Sequence, residues 1–307
     1  MINRLLIRIK VAQLIYAYLE SDAPDYTMNE ELSHSLESSY KLYNYLLSLV
    51  VNVTDYRAAQ IEAGRRKYMP THEERYPNMR FVENRVADYV RRLSGVMQYC
   101  EEHGLASDFD TDVYRAIWEG IQTMPGYGQY MTQSGAPTFD DDRRLWVDVF
   151  NTVVPDCAAL DQMLESRDLY WNDDLTTITT FVVKTLKRIS PDDEQMEVLP
   201  MYRSDDDRRF AVRLLAAAIE HAPEAIARVD KVANNWEAER IAMMDKAIMV
   251  CAVAEVLTFP DIAVAITLNE YIELAKHYSS PESAKFINGI LDKVVAGLRA
   301  EGVIFKA

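Results

Sequence analysis

The chain has 307 residues, with 33 Lys and Arg against 48 Asp and Glu for a net charge of −15, and only 10 Gly and 11 Pro beside 13 Met. That length buries a full core in one large domain or two small ones, and the acidic balance excludes attraction of the whole chain to phosphate, so that any such role falls to local basic residues. Cys100, Cys157 and Cys251 are odd in number and far apart in apolar or helical surroundings, which reads as free buried thiols rather than disulfides or a metal site. No stretch alternates apolar and polar residues between tight-turn signals, so the expected fold is all-α.

Residues 2–20, INRLLIRIKVAQLIYAYLE, are apolar nearly all the way round at helical spacing: Leu5, Ile9, Ala12, Tyr16 and Leu19 form one stripe, with Leu6 and Leu14 elsewhere. Such a helix is surrounded by partners, and the plain reading of Tyr16 on that stripe is core packing. The uncharged run Val11–Leu19 is too short to span a bilayer. Ala17 to Ala23 shows no small-residue cleavage pattern, so a cytoplasmic protein is expected. Arg4 and Arg8 lie one turn apart on a common face, where both guanidinium groups can reach one pair of phosphates. Alternatively they snorkel or pair with acidic neighbours.

Asp22–Asp25 reads as a polar loop, and Met28 to about Lys67 as one long or broken helix with Leu42, Tyr45, Leu46, Leu49 and Val50 on its apolar stripe. Its basic end, Arg65, Arg66 and Lys67, suits a helix C-terminus by dipole, an RNA-facing patch being the alternative. Met69–Asn84, with Pro70 and Pro77, reads as a linker, followed by helices at about 82–102 and 108–122. In MPGYGQYMTQSGAPTFDD, the residues Pro125, Gly126, Gly128, Gly135 and Pro137 are expected to break any helix. Asp141-Asp142-Arg143-Arg144-Leu145 and Asp206-Asp207-Arg208-Arg209-Phe210 lie 65 residues apart, each followed at equal distance by Trp171 or Trp236. This suggests a repeated unit, 141–190 in its first copy: a helix, a short helix after Pro155 or Pro223, and a third near the Trp. The aspartates read as helix caps rather than a metal site.

The stretch Thr267–Leu298, TLNEYIELAKHYSSPESAKFINGILDKVVAGL, reads as two helices joined by an elbow. Thr267 and Glu270 have the spacing of a capping box, which would start the first helix there. Ser280 can cap the second, with Pro281 tolerated at its first position and Glu282 at the positive end of the dipole. Propensity does not account for Lys285, Asn288 and the Asn288-Gly289 pair inside that helix, where Gly costs about 1 kcal/mol against Ala.

NEYIELAKHY followed by SAKFINGILDK resembles the C-terminal signature of the NusB family of bacterial transcription antitermination proteins. VAQLIYAY is similar to the first helix of that family, although Leu5, Leu6 and Ile7 stand where the family often has arginine. DDRRFAVRLLAAAIEHAPEAIARVD and AERIAMMDKAIMVCAVAEVL resemble its central helices. The resemblance covers 1–20 and about 205–301, and implies a NusB-like helical core of residues 1–20 and 205–307 enlarged by a long helical insertion, 21–204. Net charge divides accordingly: +2 for 1–20, −13 for 21–204 and −4 for 205–307.

In that family the closing helices contribute to binding the boxA segment of nascent ribosomal RNA. The resemblance therefore implies that Arg4, Arg8, Lys10 and Tyr18 from the first helix, with Tyr278, Glu282, Lys285, Phe286 and Asn288 at the elbow, form one RNA surface. It implies that Tyr16 and Asp245 face the ribosomal protein NusE, and that the partners are boxA-like RNA, NusE and the RNA polymerase antitermination complex. The bland reading of Asp245 is a surface charge beside Lys246 or Arg240. His34, His72, His103, His221 and His277 lack metal-ligand spacing, no Gly-rich phosphate loop or GxSxG is present, and no carboxylate is read as embedded in an apolar run. No enzyme, metal or cofactor is expected. The alternatives are a helical scaffold without RNA binding, or an accessory domain serving a separate ribosomal RNA methyltransferase subunit.

Overall fold

The computed structural model describes residues 1–20, 25–93, 95–105, 110–192, 196–233 and 241–306. Helices carry the fold: α1 (Arg4–Glu20), α2 (Asp25–Arg65), α3 (His72–Arg75), α4 (Arg85–Arg92), α5 (Val96–Glu102), α6 (Thr111–Thr123), α7 (Pro125–Thr132), α8 (Phe139–Thr152), α9 (Ala158–Arg167), α10 (Trp171–Arg188), α11 (Asp205–Ala233), α12 (Met243–Thr258), α13 (Val264–Tyr278) and α14 (Pro281–Ala300). The only β pairing among the described residues is a single parallel bridge, Ile2 with Tyr202, so the fold is all-α. The chain divides into a middle unit, Met1 with Glu37–Pro200, and a terminal unit, Ile2–Leu36 with Met201–Ala307.

In the middle unit, α2 from Glu37 onward is lined by Leu42, Tyr43, Tyr45, Leu46, Leu49 and Val50, all buried. Its polar positions are tied in as well: Tyr43 and Thr185 share a hydroxyl hydrogen bond of 2.7 Å, and the Trp171 indole donates to the Ser38 carbonyl at 3.1 Å. A helix expected at about 82–102 is broken in two, because Gly95 takes φ +99° at the start of α5. The segment expected to be irregular holds α7: Pro125 sits at its first position, where the missing N–H has no helical partner to lose. The aspartates beside it behave as helix-start residues. Thr138 and Asp141 make a capping box, Asp140 pairs with Arg143 at 2.7 Å, and buried Asp142 accepts from Arg85 and Tyr130, each at 2.7 Å. The thiols of Cys100, Cys157 and Cys251 are free and buried, and burial pushes that of Cys100 up to about 11.

The repeat reading does not survive the geometry. Residues 139–188 form three helices, whereas α11 runs unbroken from Asp205 to Ala233 through Pro223. One proline removes one backbone donor, and packing of the apolar face of α11 on α12 outweighs that loss. Trp236, the second marker of the repeat, lies outside the described residues.

In the terminal unit α1 packs on α11, α12 and α13, and α14 on α11, α12 and α13. The directions follow from named contacts. Ile2 N–H donates to the Met201 carbonyl at 2.7 Å and Arg4 pairs with Asp207, so α1 and α11 start together and run in parallel. The rings of Phe210 and Phe259 meet at 4.9 Å, which sets α11 antiparallel to α12. α1 therefore runs from the C-terminal end of α12 towards its N-terminal end. The burial of α1 on nearly every side, from Leu6 through Val11 to Ile15, agrees with its sequence pattern.

Two glycines give opposite expectations for one substitution. Gly95→Ala forces a left-handed backbone on a β-carbon and is expected to cost about 1–2 kcal/mol. Gly289→Ala meets nothing within 4 Å and is expected to add about 1 kcal/mol by helix propensity. Urea unfolding of both variants checks the pair of signs.

Candidate nucleic-acid interface

Glu255 stands in the middle of IMVCAVAEVLTF on α12 and has 0 % of its surface exposed. A carboxylate there must be paired. Arg8, itself 3 % exposed, donates from Nε to Oε2 and from Nη2 to Oε1, both at 2.8 Å. Thr267 Oγ1 adds a donor to Oε1 at 2.8 Å and the Tyr271 hydroxyl one to Oε2 at 3.2 Å. The third guanidinium nitrogen of Arg8 donates to Glu270 at 3.1 Å. Burial works against the charge on Arg8, but the hydrogen bonds and charge of Glu255 outweigh it, so its pKa is raised above the ordinary value. Burial and the neighbouring Glu255 charge push the Tyr271 phenol well up.

This network corrects three readings. Thr267 and Glu270 do not form a capping box, because α13 starts earlier, after Ala263, and both side chains are drawn to the buried pair. Arg8, expected at phosphate, is held in the interior by two carboxylates. Glu255 itself was missed, although the lone acid between Lys246 and Asp261 in an otherwise apolar run is a legible signal. Lys10, also expected at RNA, is wholly buried. Asp245, expected to face a partner, is buried and accepts from the Ser279 hydroxyl at 2.5 Å, pinning the elbow to the start of α12.

The elbow and the arginines consequently lie at opposite ends of α12. Asp245 and Glu255 are ten residues apart on one helix, about 15 Å. Arg4 is exposed at the far end, 3.7 Å from Asp207 and 4.9 Å from the centre of the Phe210 ring. Tyr18 follows Arg8 by the same ten residues on a helix running the other way, so α1 brings its tyrosines, not its arginines, towards the level of the elbow. Tyr16 is exposed and Tyr18 half-buried. Exposure of Tyr16 corrects the core reading, since the burial of its stripe ends at Ile9 and Ala12, one turn before it.

At the elbow Ser280 caps α14 by accepting from the Ser283 N–H at 3.1 Å, with Pro281 at the first helical position, as the sequence indicates. Tyr278 is half-buried, Glu282 and Lys285 are exposed, and Phe286 and Asn288 are half-buried. Spacings of three, four and seven residues place Glu282, Lys285, Phe286 and Gly289 on one face of α14. Asn288 donates to Asp292 at 3.3 Å. An ammonium, an accessible ring and an open backbone position on one face, with the Asn288 amide turned to another, are groups that suit unpaired bases, which are read by stacking and edge hydrogen bonds. Among the described residues no group of three or more His, Cys, Asp or Glu is placed to hold a metal ion, and no helix is long and apolar enough to cross a membrane.

The sequence that builds this geometry is similar to known proteins. The model of the NusB family matches residues 176–296, from within α10 to within α14. The chain is 34% identical over 126 residues to the transcription antitermination protein NusB of Chloroherpeton thalassium, which is 41% of this chain and 56% of that protein. It is 40% identical over 92 residues to the protein of the same name from Dictyoglomus thermophilum, 30% of this chain and 64% of the relative. With that from Salinibacter ruber it shares 33% identity over 108 residues, 35% of this chain and 68% of the relative. The chain thus spans between about half and two thirds of the length of these relatives. No solved structure matches it.

Removing Arg8 leaves Glu255 buried with hydroxyl donors alone. Arg8→Ala is expected to destabilise the terminal unit by about 3–5 kcal/mol, and Arg8→Lys to recover only part, since an ammonium cannot make the two-pronged contact. Urea unfolding followed by circular dichroism measures both, and a wild-type midpoint for Arg8→Ala would refute the assignment.

Proposed function

The chain belongs to the NusB family, and from that premise we propose that it is a transcription antitermination factor that binds boxA-like RNA together with the ribosomal protein NusE. In that role it would join the RNA polymerase antitermination complex during ribosomal RNA transcription in the cytoplasm. The observation that supports this most is the start of α14 at the elbow, where exposed Lys285 and half-buried Phe286 share a face in the stretch that the family model covers.

On this reading Lys285 contacts phosphate, Phe286 stacks on a base, and Asn288 reads a base edge in exchange for Asp292. Tyr18 and Tyr278 offer further rings. Glu282, exposed in the first turn of α14, sets a negative charge against the same phosphates. Arg8 and Lys10 support the surface from inside by holding α1 in place. Tyr16, exposed near the end of α1, is the proposed contact for NusE, while buried Asp245 fixes the elbow. A scaffold without RNA binding is the second reading, favoured by the interior placement of Arg8 and Lys10 and by the net charge of −15.

Fluorescence anisotropy of a labelled boxA-like RNA against a scrambled one, with and without NusE, separates the two. The proposal expects tighter binding of the boxA-like strand, a loss of about fivefold or more for Phe286→Ala, and a salt slope lower by about 0.7 for Lys285→Ala. Glu282→Gln should bind at least as tightly as wild type. Equal affinity for both RNAs even with NusE present would leave the scaffold.

A further inference from the structure

The middle unit has a net charge of −10 over residues 37–200, and among its described residues cations and uncovered aromatic rings coincide at the end of its long helix. At the end of α2 the chain reads Arg65-Arg66-Lys67-Tyr68-Met69, then Pro70 and Thr71 lead into α3 and Tyr76. Tyr68 is 99 % exposed, Met69 82 % and Tyr76 68 %. The fold gains almost nothing from burying these side chains, so packing does not explain them.

The tip is nevertheless built rather than loose. Thr71 and Glu74 form a capping box on α3, Lys67 pairs with Glu74, and the Lys67 N–H donates to the Gly64 carbonyl at 3.3 Å. A β-carbon on Gly64 would sit 3.4 Å from Glu74 Cγ, so the return segment rests directly on the end of α2. Arg65 is engaged with Glu62 at 3.0 Å, and Arg80 donates to the carbonyls of Tyr130 at 2.7 Å and Gln133 at 2.9 Å. That leaves Arg66, whose nearest carboxylate is Glu62 at 4.0 Å, and exposed Arg75 as outward cations flanking the rings. Glu73 is exposed beside them, and the tip still carries four Lys and Arg against Glu73 and Glu74.

We propose that residues 65–76 form a contact for single-stranded RNA separate from the elbow, with Tyr68 and Tyr76 as stacking platforms and Arg66 and Arg75 on the phosphates. Unpaired bases are the partner that uses both features: exposed rings stack on any base, and neighbouring cations follow the backbone. An acidic protein segment would use the cations but has no need of two tyrosine rings held in the open. The site does not rest on boxA recognition, because stacking and phosphate contact are indifferent to sequence.

The test uses the full chain and an unstructured, non-boxA single-stranded RNA in fluorescence anisotropy at low salt. Tyr68→Ala/Tyr76→Ala is expected to weaken binding at least about fivefold, and Arg66→Ala/Arg75→Ala to lower the salt slope by about 1.4. All four positions are exposed, so matching circular dichroism melts should show intact folding. Lys285→Ala/Phe286→Ala, measured alongside, should leave the effect of the tip substitutions unchanged, which separates failure at the elbow from failure at the tip. Wild-type affinity and salt slope in both tip variants would overturn the proposal. So would variants that lose binding of poly-glutamate while keeping that of RNA.

Discussion

The terminal unit depends on one buried charge. Glu255 sits in the most apolar stretch of the chain, and a carboxylate in that position is unfavourable by several kcal/mol unless its lone pairs are taken. Arg8, Thr267 and Tyr271 take them. Because these partners come from both ends of the sequence, satisfying Glu255 sets α1, α12 and α13 in a single axial register. Generic apolar packing would tolerate α1 sliding by a residue or rotating by part of a turn. A two-pronged guanidinium contact does not.

That same constraint decides which side chains remain for function. The arginine that could have met phosphate is consumed inside, and α1 then runs away from it, delivering Tyr16 and Tyr18 towards the elbow. Asp245 completes the arrangement from the other end of α12 by holding Ser279. The face of α14 that results is defined by geometry more than by charge: one lysine, one accessible ring and a glycine with open space beside it. On the proposed reading this suits an acidic protein, since recognition of unpaired bases by stacking and edge hydrogen bonds needs few cations.

The helical class, the buried first helix, the long α2, the Ser280 cap and the elbow were legible because each rests on local chemistry: periodicity, a capping hydroxyl, a proline at the first position. The failures share a cause. Thr267 and Glu270 have the spacing of a capping box, yet tertiary partners claim both. Arg4 and Arg8 share a helix face in projection, but only packing shows that one of them is enclosed. Pro125 and Pro223 punctuate the sequence identically, and the structure begins one helix at the first while running another through the second. The division into two units lies within the unbroken helix α2, at Leu36 and Glu37, where no composition shift marks it. Met69 and Tyr76 were hidden in what reads as a linker and Tyr68 just before it, because nothing in a sequence distinguishes a ring that will be covered from one that will not.

The central claim is that the arginine end of α1 is structural and that the elbow is the surface offered to RNA. Ultraviolet crosslinking of the full chain to bound boxA-like RNA, with the linked peptides identified by mass spectrometry, tests this most directly. The account predicts linkage on the peptides holding Tyr278 and Phe286 that disappears when the RNA is scrambled. Linkage confined to the start of α1, with the elbow peptides unmodified, would contradict it.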